Sequence, residues 1–229
     1  MSEHAIPSGE SELTGRFVVL RAAALERIAG AEPAHDALHV TRVMASARQI
    51  ATAEGADVDV CETAALLHEL FNHPKSHPDS SRSGEVCAEH AIAMLRQHGF
   101  DEAFSERVAY CIRVHSFSRG IMPETLEAKV LQDADRLDAI GAIGIARCFA
   151  TSADMKRPFY APDDPFCRTR QPDDKQWGID HFFRKLLGIG DGLHTATARA
   201  IAVERTRFMR VYLDQLEREI SAAAQANGR

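Results

Sequence analysis

The sequence predicts an all-α fold on three observations. Apolar residues return at three- or four-residue steps through most of the chain, the period of an amphipathic helix. The apolar–polar alternation that a half-buried strand needs is almost absent. Glycine-, proline- and serine-rich stretches fall between the periodic segments. No Gly/Ser- or Pro-rich linker divides two well-patterned halves, and 229 residues suffice to bury a full core. The expectation is a single helical domain over residues 11–222, with residues 1–10 as a flexible N-terminus and 223–229 as a tail.

Leu13, Phe17, Leu20, Ala24 and Ile28 set out a first helix over residues 11–30, with Gly15 weakening its first turn. Pro33 separates it from a second helix that Asp36 is placed to cap. His39, Val40, Val43, Ala47 and Ile50 line one side of that helix, and Gly55 ends it. Val60 to Leu70 is apolar and alanine-rich, which reads as an almost wholly buried helix. The run from Asn72 to Glu85, with two prolines, serines and a glycine, is the largest break. Helical spacing resumes from Val86 to His98 through Ala91, Met94 and Leu95, with Gly99 as its stop. Two more helices are expected over residues 102–114 and 124–149, the second long and carrying the three aspartates of DADRLD near its start. Residues 151–177 hold four prolines and alternating charge, and read as a long loop that is either a lid or a surface excursion. Helices at about 178–187 and near 194–222 follow, the last with Ile201, Phe208, Tyr212 and Leu216 as its packing face.

A net charge of -6 argues against a protein that wraps a nucleic-acid polymer. A small phosphorylated substrate stays open, because a metal and a few cations can reverse the potential inside one cleft. The five cysteines are widely spaced and form no CxxC, so buried free thiols in a reducing compartment are expected. The N-terminal MSEHAIPSGESEL lacks the basic-plus-apolar pattern of a secretory leader, and no run approaches 18 apolar residues. A cytoplasmic location without a membrane partner is expected; the apolar helical faces leave a homodimer open.

The residues that carry chemistry are His39, the pair His68-Glu69 in LLHEL, and Asp135 in QDADRLDAIGAIG. Each lies in an apolar helical segment, where a polar group needs a partner or a task. Taken singly, each histidine is explained as well by a hydrogen-bonded core residue, and Asp135 by an ion pair with Arg136 or Arg147. Brought together, two imidazoles and two carboxylates can hold a divalent ion and the water it activates. Four protein ligands leave room for water and substrate only at five- or six-coordination, which favours one Mn²⁺, Mg²⁺, Fe²⁺ or Co²⁺ over tetrahedral Zn²⁺.

The segments HDALHVTRV, ALLHEL and LQDADRLDAIGA resemble the HD-domain family of metal-dependent phosphohydrolases, all-helical proteins marked by a His, an adjacent His-Asp pair and a distant Asp. The resemblance spans roughly residues 20–220 and implies that His39, His68 and Asp135 are metal ligands, with Glu69 in the place of the signature Asp. Glutamate keeps the charge and adds a methylene, so the ligand geometry must adjust; retained activity is the favoured outcome. The literal His35-Asp36 dipeptide precedes the first ligand, and Asp36 is better explained as a cap.

Within the family, the likeness is to a bacterial branch that includes nucleotide pyrophosphohydrolases. It implies hydrolysis of a phosphate ester or phosphoanhydride in a small molecule, a nucleotide or deoxynucleotide. Glu69, His73 and His115 are the candidate catalytic residues. Asn72, Lys75, Arg119, His181 and Lys185 are the candidate substrate-binding residues. Asn72 stands where that branch often has an acid, so it cannot take a base's role. Two other readings remain: a catalytically weak nucleotide- and metal-binding protein, and an iron-dependent oxygenase of the same fold.

Overall fold

The computed structural model describes residues 8–29, 36–73 and 77–227. Every regular element among them is helical. The helices are α1 (Ser8–Ile28), α2 (Ala37–Glu54), α3 (Val58–Leu67), α4 (Ser83–Gln97), α5 (Glu102–Val114), α6 (Leu126–Leu137), α7 (Gly141–Asp154), α8 (Asp180–Arg184) and α9 (Ala196–Asn227). Short 3₁₀ turns occupy Ser80–Arg82, Phe117–Arg119 and Leu186–Gly192. The chain forms two compact units, one ending at Asp135 and the other starting at Arg136.

In the first unit α3 is the central helix, packed against α1, α2 and α5, while α4 pairs with α5. The eight residues from Val60 to Leu67 are all buried, which accounts for the unbroken apolar run. Capping sets the helix starts. Asp36 accepts the His39 amide at 2.8 Å, Asp57 accepts the amides of Asp59 and Val60, and Asp101 accepts that of Phe104. Gly55, at φ 73°, closes α2 with the left-handed residue that helix ends favour. Thus Asp36 is a cap, as its sequence context indicates; His35, its neighbour, lies outside the described residues.

The second unit packs α9 against α7 and the Leu186–Gly192 turn. Phe149, Phe159, Phe182 and Tyr212 form its aromatic cluster. Buried Asp180 receives both Nη atoms of Arg170, at 2.5 and 2.7 Å, and the Asp173 amide, so the segment before α8 is fastened by a two-pronged ion pair. Arg136 donates to the carbonyls of Ile189 and Gly192, and Arg147 pairs with Asp138 at 2.6 Å.

Several element bounds differ from the sequence expectation. Ser8, Gly9 and Glu10, expected as flexible, are already helical, and α9 runs through much of the expected tail. The Asn72–Glu85 break is shorter than expected, because a 3₁₀ turn and then α4 begin within it. Residues 151–154 belong to α7 rather than to the long loop. The single helix expected over 124–149 is two helices. Gly141 adopts φ 78°, and Gly144 lies so close to the Ala139 carbonyl that a Cβ would collide with it. As a result Asp133 and Asp135 sit at the end of α6, and Asp138 lies beyond it. Four of the cysteines are buried free thiols, while Cys167 is half-buried.

Candidate metal centre

Three donor-bearing side chains meet at helix ends, and a fourth, Glu69, stands beside two of them. His39 lies in the first turn of α2, its backbone held by the Asp36 cap. His68 closes α3, and Glu69 follows in the turn rather than in the helix. Asp135 lies in the last turn of α6. The partial negative charge at the C-terminal ends of α3 and α6 favours a cation there.

The nearest donor atoms of His39, His68 and Asp135 lie within 4.8 Å of one another. His39 Nε2 is 3.3 Å from His68 Nε2 and 3.5 Å from Asp135 Oδ1. Glu69 Oε1 stands 3.9 Å from His39 Nε2 and 3.7 Å from His68 Nε2. The spacings of His39, His68 and Asp135 suit donors gathered around one ion at bonds of roughly 2.0–2.2 Å, whereas Glu69 stands outside that group of three. Both imidazoles are fully buried as side chains, Glu69 nearly so, and Asp135 is 31% exposed.

His68 is prepared for this task by its own helix. Its Nδ1–H donates to the Ala65 carbonyl at 2.7 Å, which leaves the Nε2 lone pair facing the other donors. Burial pushes its pKa down to about 4, against the opposing pull of Glu69 and Asp135, so the ring is neutral at neutral pH. Neutral imidazole is the form that binds a metal. His115 repeats the arrangement at the end of α5: its Nδ1–H donates to Ile112 at 2.6 Å, and its ring lies edge-on to His68 with centroids 5.4 Å apart.

The other candidates are placed as follows. His73 stacks on His77 at 4.4 Å and meets the edge of Phe71, with exposed Asn72 between them in sequence. Lys75 lies outside the described residues. Arg119 donates to Glu85 at 2.8 Å and to the Arg113 carbonyl, so its guanidinium already has an acidic partner. His181, in the second unit, holds Asp174 at 2.8 Å, and Arg184 shares that carboxylate. Lys185 is exposed at the end of α8. Of the two arginines considered as partners for Asp135, Arg136 donates to the carbonyls of Ile189 and Gly192 and Arg147 donates to Asp138.

Two supporting residues were not legible beforehand. Gln132 donates to the Val114 carbonyl next to His115, and the Cys87 thiol donates to the His68 carbonyl from nineteen positions away. Nothing in the sequence pairs either residue with its partner.

This helical arrangement recurs in known proteins. The HD domain family model matches residues 37–140, a span that contains all four donors. Protein YpgQ of Bacillus subtilis is 38% identical over 190 residues, covering 81% of this chain and 84% of its own. The chain belongs to the HD-domain family. The crystal structure of Bacillus subtilis YpgQ in complex with ADP superposes at a TM-score of 0.71 with 35% identity, over 91% of this chain and 96% of that one. An HD-superfamily hydrolase from Bacillus thuringiensis gives 0.68 with 29% identity, over 93% and 98% of the two chains. Among the described residues of this HD-family chain, no helix is long and apolar enough to cross a membrane.

Proposed function

We propose that this chain is a metal-dependent phosphohydrolase that cleaves a phosphate ester or phosphoanhydride in a small molecule, a nucleotide or deoxynucleotide. The convergence of His39 Nε2, His68 Nε2 and Asp135 Oδ1 within 4.8 Å carries this reading. The donor set is two imidazoles with carboxylates and no thiolate, which suits Mn²⁺, Fe²⁺, Co²⁺ or Mg²⁺. Bound there, one divalent ion supplies Lewis-acid neutralisation of phosphoryl charge and a more acidic water.

The protein's own residues divide the remaining work. Glu69, the fourth ligand, also holds a proton from the attacking water at a carboxylate oxygen. His115, half-buried and beside His68, acts at the leaving oxygen as an imidazolium that gives up its Nε2 proton, while its Nδ1–H stays engaged with Ile112. His73 is the second candidate for that transfer. Asn72 and His73, on the loop that leaves Glu69, are the nearest candidates in sequence for contact with phosphoryl oxygens. Arg119 reaches substrate only by exchanging its Glu85 partner. His181 and Lys185 rest on family resemblance alone. The ADP held by YpgQ supports a nucleotide as the substrate class.

Phosphate- and pyrophosphate-release assays across a nucleotide panel, each with Mn²⁺, Mg²⁺ and Co²⁺, test the proposal. Turnover that needs the ion and disappears on chelation is expected. Tight metal binding with no release from any nucleotide would remove the enzymatic reading and leave a binding protein.

A further inference from the structure

The turn that carries His68 and Glu69 is tied to a single atom from another helix. Cys87, on α4, is 1% exposed. Its thiol hydrogen is shared between the carbonyls of His68, at 3.2 Å from the sulfur, and Leu67, at 3.4 Å. The Leu67 carbonyl also accepts the Leu70 amide at 3.2 Å, whereas the His68 carbonyl lies where the helical partners of α3 run out, and burial makes an unmet polar group costly.

We infer that Cys87 is a positioning residue for the metal centre: its sulfur fixes the Leu67–Leu70 turn, and through it the directions of His68 and Glu69. The inference rests on the metal-centre reading above. His68 has an anchor of its own, because Nδ1–H is bound to Ala65 within α3. Glu69 follows the helix, so its direction depends on the turn. The extra methylene of glutamate adds a rotatable bond that an aspartate lacks, so the backbone from which it starts matters more to where the carboxylate lands. An S–H donor is weak, but here it reaches two consecutive backbone carbonyls of the turn.

Titration calorimetry of the full chain with Mn²⁺ tests this on five variants. Cys87→Ala, which removes the donor, is expected to bind Mn²⁺ about tenfold more weakly, as the loss of a ligand-orienting group does, whereas Cys87→Ser recovers to within about threefold of wild type. Cys87→Val, which fills the space without a donor, is expected to match Cys87→Ala and stands in if that variant does not fold. Cys61→Ala, an equally buried thiol away from the turn, should lower thermal stability without altering Mn²⁺ affinity. Serine as weak as alanine, or alanine as tight as wild type, overturns the positioning role. His68→Ala separates the two failures: undiminished Mn²⁺ binding there overturns the metal centre itself.

Discussion

Asp135 is the most exposed of the four donor side chains, and it offers an oxygen among buried imidazoles. Asp135→Ala should therefore preserve the fold and lose the ion. Groups that merely orient ligands are typically worth ten- to a hundredfold in affinity, so loss of the ligand itself should exceed about a hundredfold, read by calorimetry with Mn²⁺. Glu69→Asp asks what the additional methylene does. Shortening the side chain draws a carboxylate that now lies 3.7 Å from His68 Nε2 back toward the turn. We expect a changed order of preference among Mn²⁺, Co²⁺ and Mg²⁺ in the release assay; an unchanged order and rate would show the methylene to be inconsequential. His39, His68 and Asp135, which the fold brings together, were legible in the sequence because each is a polar side chain in or beside an apolar helical run, where burial demands a reason. The roles of Arg119 and His181 were not. Their acidic partners, Glu85 and Asp174, are chosen by packing, and charge in a sequence looks the same whether it is paired or waiting for substrate.

Helix lengths and caps followed from local chemistry: α5 has the bounds its spacing predicts, and Gly55 ends α2 as expected. The break between α6 and α7 was hidden because DAIGAIG keeps the apolar period while changing the backbone. Apolar spacing reports which face is buried; it is silent about a glycine at φ 78° or one pressed against a carbonyl. Gly144→Ala places a methyl on the Ala139 carbonyl and should cost about 1–3 kcal/mol by denaturant unfolding, as overpacking does. Gly188→Ala, with nothing within 4 Å of the new Cβ, should change little and so reports the cost of substitution alone. The segment before α8 yields a pH prediction. Asp164 accepts the amides of Thr169, Arg168 and Arg170 and the Thr169 hydroxyl, which hold its carboxyl at about 2 instead of its ordinary 3.8. A lowered carboxyl pKa means a stabilising contribution that is complete above 3.8 and lost as pH falls through about 2. The amide resonances of residues 168–170 should titrate with the lower midpoint, and Asp164→Asn should abolish that titration.

The sequence pattern leads us to propose one cooperative domain over residues 11–222, and calorimetry with metal tests both that proposal and the metal centre. His39, His68, Glu69 and Asp135 all belong to the unit that ends at Asp135. An ion that binds only the folded protein stabilises it by RT ln(1 + [L]/Kd), about 2.7 kcal/mol at a hundredfold excess over Kd. For a chain of this length each kcal/mol moves the midpoint by roughly 2–4 °C, so saturating Mn²⁺ should raise it by roughly 5–10 °C and chelation should reverse the shift. If the chain unfolds as one domain, there is a single transition, its calorimetric and van't Hoff enthalpies agree, and the whole of it moves with the ion. Two transitions of which only one responds would end the single-domain proposal while leaving the metal centre intact. A single transition indifferent to Mn²⁺ would do the reverse, because buried or half-buried donors gathered at helix ends have no other means of gaining stability from the ion than holding it.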